Sequence, residues 1–183
     1  DDIEEIKEFV RALVSRYDGS TPGIPEVRHF ELYNEPDNAD LGHAINGGWG
    51  YWGLNGEGYA ALLQELYPVV KAANPKANLV FGGIAMDWFI EDGGPFDADF
   101  LEDVLTVCEG QDCFDVMNFH YYPLFRWDQY GPGIIGKVTY IRQLMEQYGF
   151  ADTPLICTEM GWDSEASWGS TEVRRQTDDD AVT

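Results

Sequence analysis

Val27-Arg28-His29-Phe30-Glu31-Leu32-Tyr33-Asn34-Glu35-Pro36 and Pro154-Leu155-Ile156-Cys157-Thr158-Glu159-Met160-Gly161-Trp162 decide the reading of this chain. Each is a run of apolar and β-favouring residues that stops at a carboxylate, with Pro or Gly close behind. Val27 to Asn34 reads as one strand and Pro154 to Met160 as another. Between them, Phe114 to Tyr121 reads as a strand that ends in His120 and Tyr122. Asn78 to Phe81 is a shorter strand closed by Gly82-Gly83.

The segments between these strands carry helical spacing. Ile3, Ile6, Phe9, Val10, Leu13, Val14 and Tyr17 mark a helix that Gly19 to Pro25 breaks. Tyr59, Leu62, Leu63, Leu66, Val69, Val70 and Ala73 mark a second, with Pro68 kinking it or lying near its end. Asp99-Phe100-Leu101-Glu102 has capping-box spacing and opens a third helix running to about Cys108. Ile134 to Tyr148 is a fourth, stopped by Gly149, and Ser170 onward begins another. Asp37 to Gly58 is a long loop rich in Gly, Asn and aromatic residues.

The order is α, then β-α three times, then β. Such alternation builds a parallel sheet with right-handed crossovers. The fold class is therefore α/β, a partial TIM (β/α)8 barrel with about half of the barrel present. A flavodoxin-like open sheet is the competitor, but no Gly-rich phosphate loop follows any strand. The chain opens directly in a helical pattern, so its natural beginning is expected to be missing, and with four strands residues 1–183 read as a single barrel fragment.

Composition narrows the partners. The chain of 183 residues is 44% hydrophobic and 14% aromatic, as a globular domain is. Its formal net charge of -22 comes from 33 acidic and 11 basic residues, which argues against nucleic acid and anionic membranes as partners. Part of that charge sits at the acidic ends, Asp1–Glu8 and Asp178–Asp180. No apolar run approaches the ~18 residues that span a membrane. Cys108 and Cys113 bracket a short polar loop, and a disulfide or two free thiols fit equally well. Cys157 reads as a small core residue, and the three cysteines match no zinc pattern.

Carboxylates at the C-terminal ends of parallel strands are where barrel enzymes keep their chemistry. A facing pair is what cleavage of a glycosidic bond uses, at ~5–5.5 Å when the anomeric configuration is retained. Glu35 and Glu159 are that candidate pair. Asn34 can donate to a sugar hydroxyl. His120 and Tyr122 share a strand face and can bind substrate or hold Glu159. Trp162 can stack on a sugar ring, and Trp49, Tyr51, Trp52 and Trp88 can build outer subsites. Glu31, lower on its strand, reads as a buried partner for an Arg or Lys. His29 and His43 lie away from the expected mouth. Asp87, Asp92, Asp97 and Asp99 read as turn and capping residues rather than as a calcium site.

Phe30-Glu31-Leu32-Tyr33-Asn34-Glu35-Pro36, Asn118-Phe119-His120-Tyr121-Tyr122-Pro123 and Thr158-Glu159-Met160-Gly161-Trp162 together resemble the clan A glycoside hydrolases, most similarly the family 39 and family 5 types. The resemblance implies a (β/α)8 barrel and a retaining mechanism. It implies that Glu35 is the acid/base on strand four, with Asn34 on the sugar 2-hydroxyl. It makes Glu159 the nucleophile on strand seven, and gives His120 and Tyr122 supporting roles on strand six. Strands one to three and strand eight, which often supply an Arg and a Trp, have no counterpart here. The expected substrate is a β-linked oligosaccharide or polysaccharide, with no metal or cofactor, in an extracellular or secreted protein. A carbohydrate-binding barrel without catalysis and a metal-dependent barrel enzyme are the alternatives.

Overall fold

The computed structural model describes residues 3–39, 51–122 and 133–161. Four strands alternate with helices: α1 (Ile3–Arg16), β1 (His29–Asn34), α2 (Gly56–Ala73), β2 (Asn78–Gly83), α3 (Phe100–Cys108), β3 (Met117–Tyr121), α4 (Gly133–Gln147) and β4 (Leu155–Met160). Strands β1 and β2 pair in parallel, as do β3 and β4. Parallel bridges Val80–Val116 and Ile84–Phe119 join the two pairs, so the spatial order is β1-β2-β3-β4. All four strands run the same way, and their C-terminal ends lie on one rim.

Helices α2, α3 and α4 share one buried apolar core with the two inner strands, β2 and β3. Tyr59, Leu63, Leu66 and Val70 of α2 are fully buried, as periodicity requires of a core-facing stripe. Asn55 caps α2 by accepting from the Gly58 N–H at 3.0 Å. Pro68 lies within the last two turns, and the helix runs through it. Rings of Tyr59, Phe81 and Phe114 pack in sequence at centroid spacings of 5.2 and 5.3 Å, and Phe150 stacks on Phe114 at 5.0 Å.

Three sequence expectations change. Asp99 precedes α3 but its side chain makes no capping bond. Glu102, its expected capping-box partner, instead accepts from the Tyr148 hydroxyl at 2.7 Å, tying α3 to the end of α4. Among the described residues no cation lies against Glu31; it is exposed and accepts from the Gly83 N–H at 2.9 Å. Asp87 does more than turn the chain: it lies at a bend but is buried against Lys137. Of the two cysteine options, the structure takes the disulfide. Cys108 and Cys113 are bonded, with Cα atoms 5.9 Å apart, and close the turn after α3.

Burial is uneven across the sheet. Strand β3 is buried along its whole length, whereas β1 alternates exposed and partly buried residues before an exposed end, and the second half of β4 is exposed. No described residue pairs with the outer edge of either strand. Helix α1 is similarly one-sided. Val14 is buried, but Ile3, Ile6 and Phe9 of the same apolar stripe are 36%, 43% and 64% exposed. Unpaired edges and a bare apolar face favour association with another chain. The 183-residue chain on its own is therefore expected to self-associate, read as mass by light scattering during size exclusion. A monomer with a sharp melting transition contradicts this.

Candidate active site

The rim formed by the C-terminal ends of the strands gathers Glu35, His120, Tyr122 and Glu159. His120 is 1% exposed, and its Nδ1 lies 3.0 Å from Glu35 Oε1 and 3.5 Å from Glu159 Oε2. One oxygen of each carboxylate and a ring nitrogen of His120 all lie within 4.8 Å of one another. The Tyr122 hydroxyl donates to Glu159 Oε2 at 3.2 Å. Burial first, and then the charge of Glu159, hold the Tyr122 phenol above its ordinary range, so it keeps the proton it donates.

Two departures from regular strand geometry aim the glutamates. On β1, Tyr33 and Glu35 adopt φ values of 71° and 45°, the left-handed region that non-glycine residues seldom occupy. The Tyr59 hydroxyl stands in the gap this opens beside β2. It donates to the Leu32 carbonyl at 2.7 Å and accepts from the Gly82 N–H at 2.9 Å. Without it, two inward-facing backbone groups lose partners, at about 1–3 kcal/mol for each buried group left unsatisfied. The Glu35 N–H then donates to the Gly83 carbonyl at 3.0 Å, which fixes the turned residue.

On β4 the device is a bulge. Phe119 pairs with Cys157 but His120 pairs with Glu159, leaving Thr158 as the extra residue. A bulge re-aims the side chain that follows it. Buried Asn118 holds Thr158 through two contacts: its amide nitrogen donates to Thr158 Oγ1 at 2.8 Å, and that hydroxyl lies 3.0 Å from Asn118 Oδ1. Gly83 supplies the remaining space, since a Cβ there would collide with His120 Nε2. By sequence alone Gly82-Gly83 marks a strand stop. The two glycines are also what lets Tyr59 and His120 approach the β2 backbone.

Asn34 is exposed and, with Tyr33, Glu35 and Asn38, lines an open cleft of about 440 Å³. Tyr51 and Trp88 are exposed, whereas Trp52 packs on Tyr59 at a centroid distance of 5.9 Å. Trp88 Nε1 donates to the Asp92 carbonyl at 3.0 Å. His29 meets the Asn78 side chain at 3.0 Å at the opposite end of the strands. Trp162, Trp49 and His43 lie outside the described residues.

Beneath the rim lies a set of charges that sequence reasoning did not bring together. Asp37, Asp87 and Lys137 are 0%, 5% and 0% exposed. Asp37 accepts from the Ala85 and Met86 N–H groups at 3.0 and 2.8 Å. Asp87 accepts from Lys137 Nζ at 2.8 Å and from the Tyr122 N–H at 3.2 Å. Lys137 also donates to the Ala85 carbonyl. Burial pushes Asp37 up to about 7 and Asp87 up to about 6, against the pull of their hydrogen bonds and of Lys137. Burial likewise lowers Lys137 from its ordinary range, against the pull of Asp87.

No protein-family model matches the chain, and no curated protein matches it. Solved structures do. A glucosidase from Croceicoccus marinus superposes with a TM-score of 0.60 at 19% identity, over 87% of this chain and 31% of that one. A monomeric β-xylosidase from Caulobacter crescentus gives 0.58 at 19% identity, over 87% and 31%. A family 44 endoglucanase from Clostridium thermocellum gives 0.55 at 19% identity, over 85% and 40%. The fold is part of a (β/α)8 barrel. The chain spans 31% to 40% of the length of these three proteins.

Chemically, the rim offers two carboxylates that can share one reacting atom, a buried imidazole between them and a phenol donor. Glu35, His120 and Glu159 are also the described residues that could hold a divalent cation, one donor atom each.

The two buried carboxyls give a pH signature. In the unfolded chain both titrate near 3.8, whereas in the fold they titrate near 7 and 6. The folded protein therefore keeps protons that the unfolded chain has released. Their contribution to stability is full below about pH 3.8 and lost as pH rises through 6 and 7. Thermal melts at about pH 5 and about pH 8 should show a fall in midpoint that is smaller in Asp37→Asn than in the wild type. Equal falls would count against the assignment.

Proposed function

We propose that this chain forms about half of the catalytic barrel of a retaining glycoside hydrolase that cleaves β-linked glycans or oligosaccharides. The observation that carries the reading is the approach of Glu35 and Glu159 to within 4.8 Å at the C-terminal rim of a parallel sheet. A retaining pair needs ~5–5.5 Å, and an inverting pair ~6.5–9.5 Å to admit a water. The solved structures of like fold are a glucosidase, a β-xylosidase and an endoglucanase, which agrees with this chemistry. The family 39 and family 5 resemblance of the motifs supports it further.

In the proposed reaction Glu159 attacks the anomeric carbon and forms a glycosyl ester, while Glu35 gives its proton to the departing oxygen. Water then enters, Glu35 takes a proton from it, and the ester is hydrolysed. Tyr122 holds the attacking carboxylate by its hydroxyl bond. In this reading Asn34, which lines the cleft, meets the sugar 2-hydroxyl. Trp162, three residues past Glu159, is the proposed stacking floor. No metal or cofactor enters these steps. We assign the strands to positions four to seven of the barrel, with the remaining strands supplied by a longer protein. The Cys108–Cys113 disulfide supports export to an oxidising compartment.

A second reading has one observation in its favour, the convergence of Glu35, His120 and Glu159 as metal donors. Activity lost to a chelator and regained with a divalent cation would favour it over the glycosidase.

The test uses the full-length protein on nitrophenyl and natural β-glycosides. Glu159→Ala should abolish turnover of every substrate, and azide should restore cleavage with inverted product. Glu35→Ala should slow natural glycosides by about 10²–10⁴-fold, the usual worth of a general acid. It should leave a burst of nitrophenol on the activated substrate. Exchanged signatures would reverse the two roles, and unaffected activity in both variants would end the glycosidase reading.

A further inference from the structure

Three buried ionisable groups beneath the rim, Asp37, Asp87 and Lys137, come from three separate segments of the chain. Burying such groups is expensive, and a buried ion pair is weak support for stability. Their contacts show what they do. Almost all go to backbone atoms of the loops that follow the strands.

Asp37 lies two residues beyond Glu35, and its carboxylate spans the N–H groups of Ala85 and Met86 just past β2. Met86 is held there at φ 44°, a left-handed value that a bulky residue adopts only when its surroundings impose it. Lys137, on α4, grips the same segment through the Ala85 carbonyl and pairs with Asp87. The second Asp87 oxygen takes the Tyr122 N–H just past β3. Tyr122 in turn holds Glu159 through its hydroxyl. A continuous path of contacts therefore runs from the turn carrying Glu35, under the site, to the side chain that grips Glu159.

We propose that Asp37, Asp87 and Lys137 are positioning residues that set the separation of Glu35 from Glu159 by tying together the loops after β1, β2 and β3. Its kinetic consequence rests on the glycosidase reading above; its geometric consequence does not. His120 is the natural reporter, because Nδ1 contacts both carboxylates. Any change in their spacing alters its surroundings without substrate.

The experiment is performed on the full-length protein labelled with ¹⁵N-histidine, the His120 signals being assigned by their loss in His120→Gln. Lys137→Met removes the cation, leaves Asp87 buried without it, and should move the His120 ring resonances. With a nitrophenyl glycoside that the wild type cleaves, kcat should fall by about 100-fold, the scale expected for a displacement near 1 Å, with KM little changed. The double variant Asp87→Asn/Lys137→Met removes both charges while leaving an acceptor for the Tyr122 N–H. It should bring the His120 signals and most of kcat back, since replacing a buried pair together avoids the orphaned charge.

Should Lys137→Met fail to fold, Asp37→Asn provides the milder probe, with one good acceptor left for two N–H groups; it should move the same signals less far. His120 resonances unmoved in a folded single variant overturn the proposal, as does a double variant no better than Lys137→Met. A wild type that cleaves no glycoside ends the proposed function instead, and the His120 signals still decide the positioning claim.

Discussion

His120 stands between two carboxylates at the end of a parallel sheet, and most of what surrounds it can be read as a means of keeping all three there. Glu35 comes from one edge strand of the described sheet and Glu159 from the other, with β2 and β3 between them. Regular strands would not bring their side chains within 4.8 Å. The chain leaves regular geometry on both sides to do so, by positive φ at Tyr33 and Glu35 and by a bulge at Thr158. Each departure has a dedicated hydrogen-bonding partner from a more deeply buried element: Tyr59 for the first, Asn118 for the second.

The deeper elements share a physical character. Helix α2 delivers Tyr59 as part of its fully buried apolar stripe, so the hydroxyl that serves the strand gap is anchored by aromatic packing on Phe81 and Phe100. Asn118 lies on β3, the one strand buried end to end. Rigidity at the rim is thus borrowed from the core, which is how a precise site is usually supported. The carboxylates themselves contribute little packing, with side chains 22% exposed at Glu35 and 44% exposed at Glu159.

Much of this was legible in the sequence, and what was not has a common cause. Apolar periodicity placed four helices and four strands within a few residues of their ends, because each signal is local. The strand-ending positions of Glu35, His120 and Glu159 followed from the same patterns. The buried charges did not. Asp37 follows Asn34-Glu35-Pro36 and looks like any turn aspartate, and Asp87 reads the same way before Trp88. Lys137 sits beside the apolar positions of α4 and looks like a solvated face residue. Their partners lie 35 to 52 residues away, in segments whose proximity only the fold establishes. Glu31 and the Asp99 cap failed for a related reason, since a free backbone N–H and a distant Tyr148 hydroxyl outcompeted the local partners that spacing suggested. The spacing of Cys108 and Cys113 alone does not fix their redox state.

The stereochemistry of cleavage tests the central claim most directly, because the separation of Glu35 and Glu159 is what selects it. The full-length protein would be mixed with an aryl β-glycoside it hydrolyses, and proton NMR would follow the first sugar released before mutarotation scrambles it. The proposed double displacement predicts initial appearance of the β-anomer, with the α-anomer growing in later. Initial appearance of the α-anomer would mean single displacement by water, and would contradict the account.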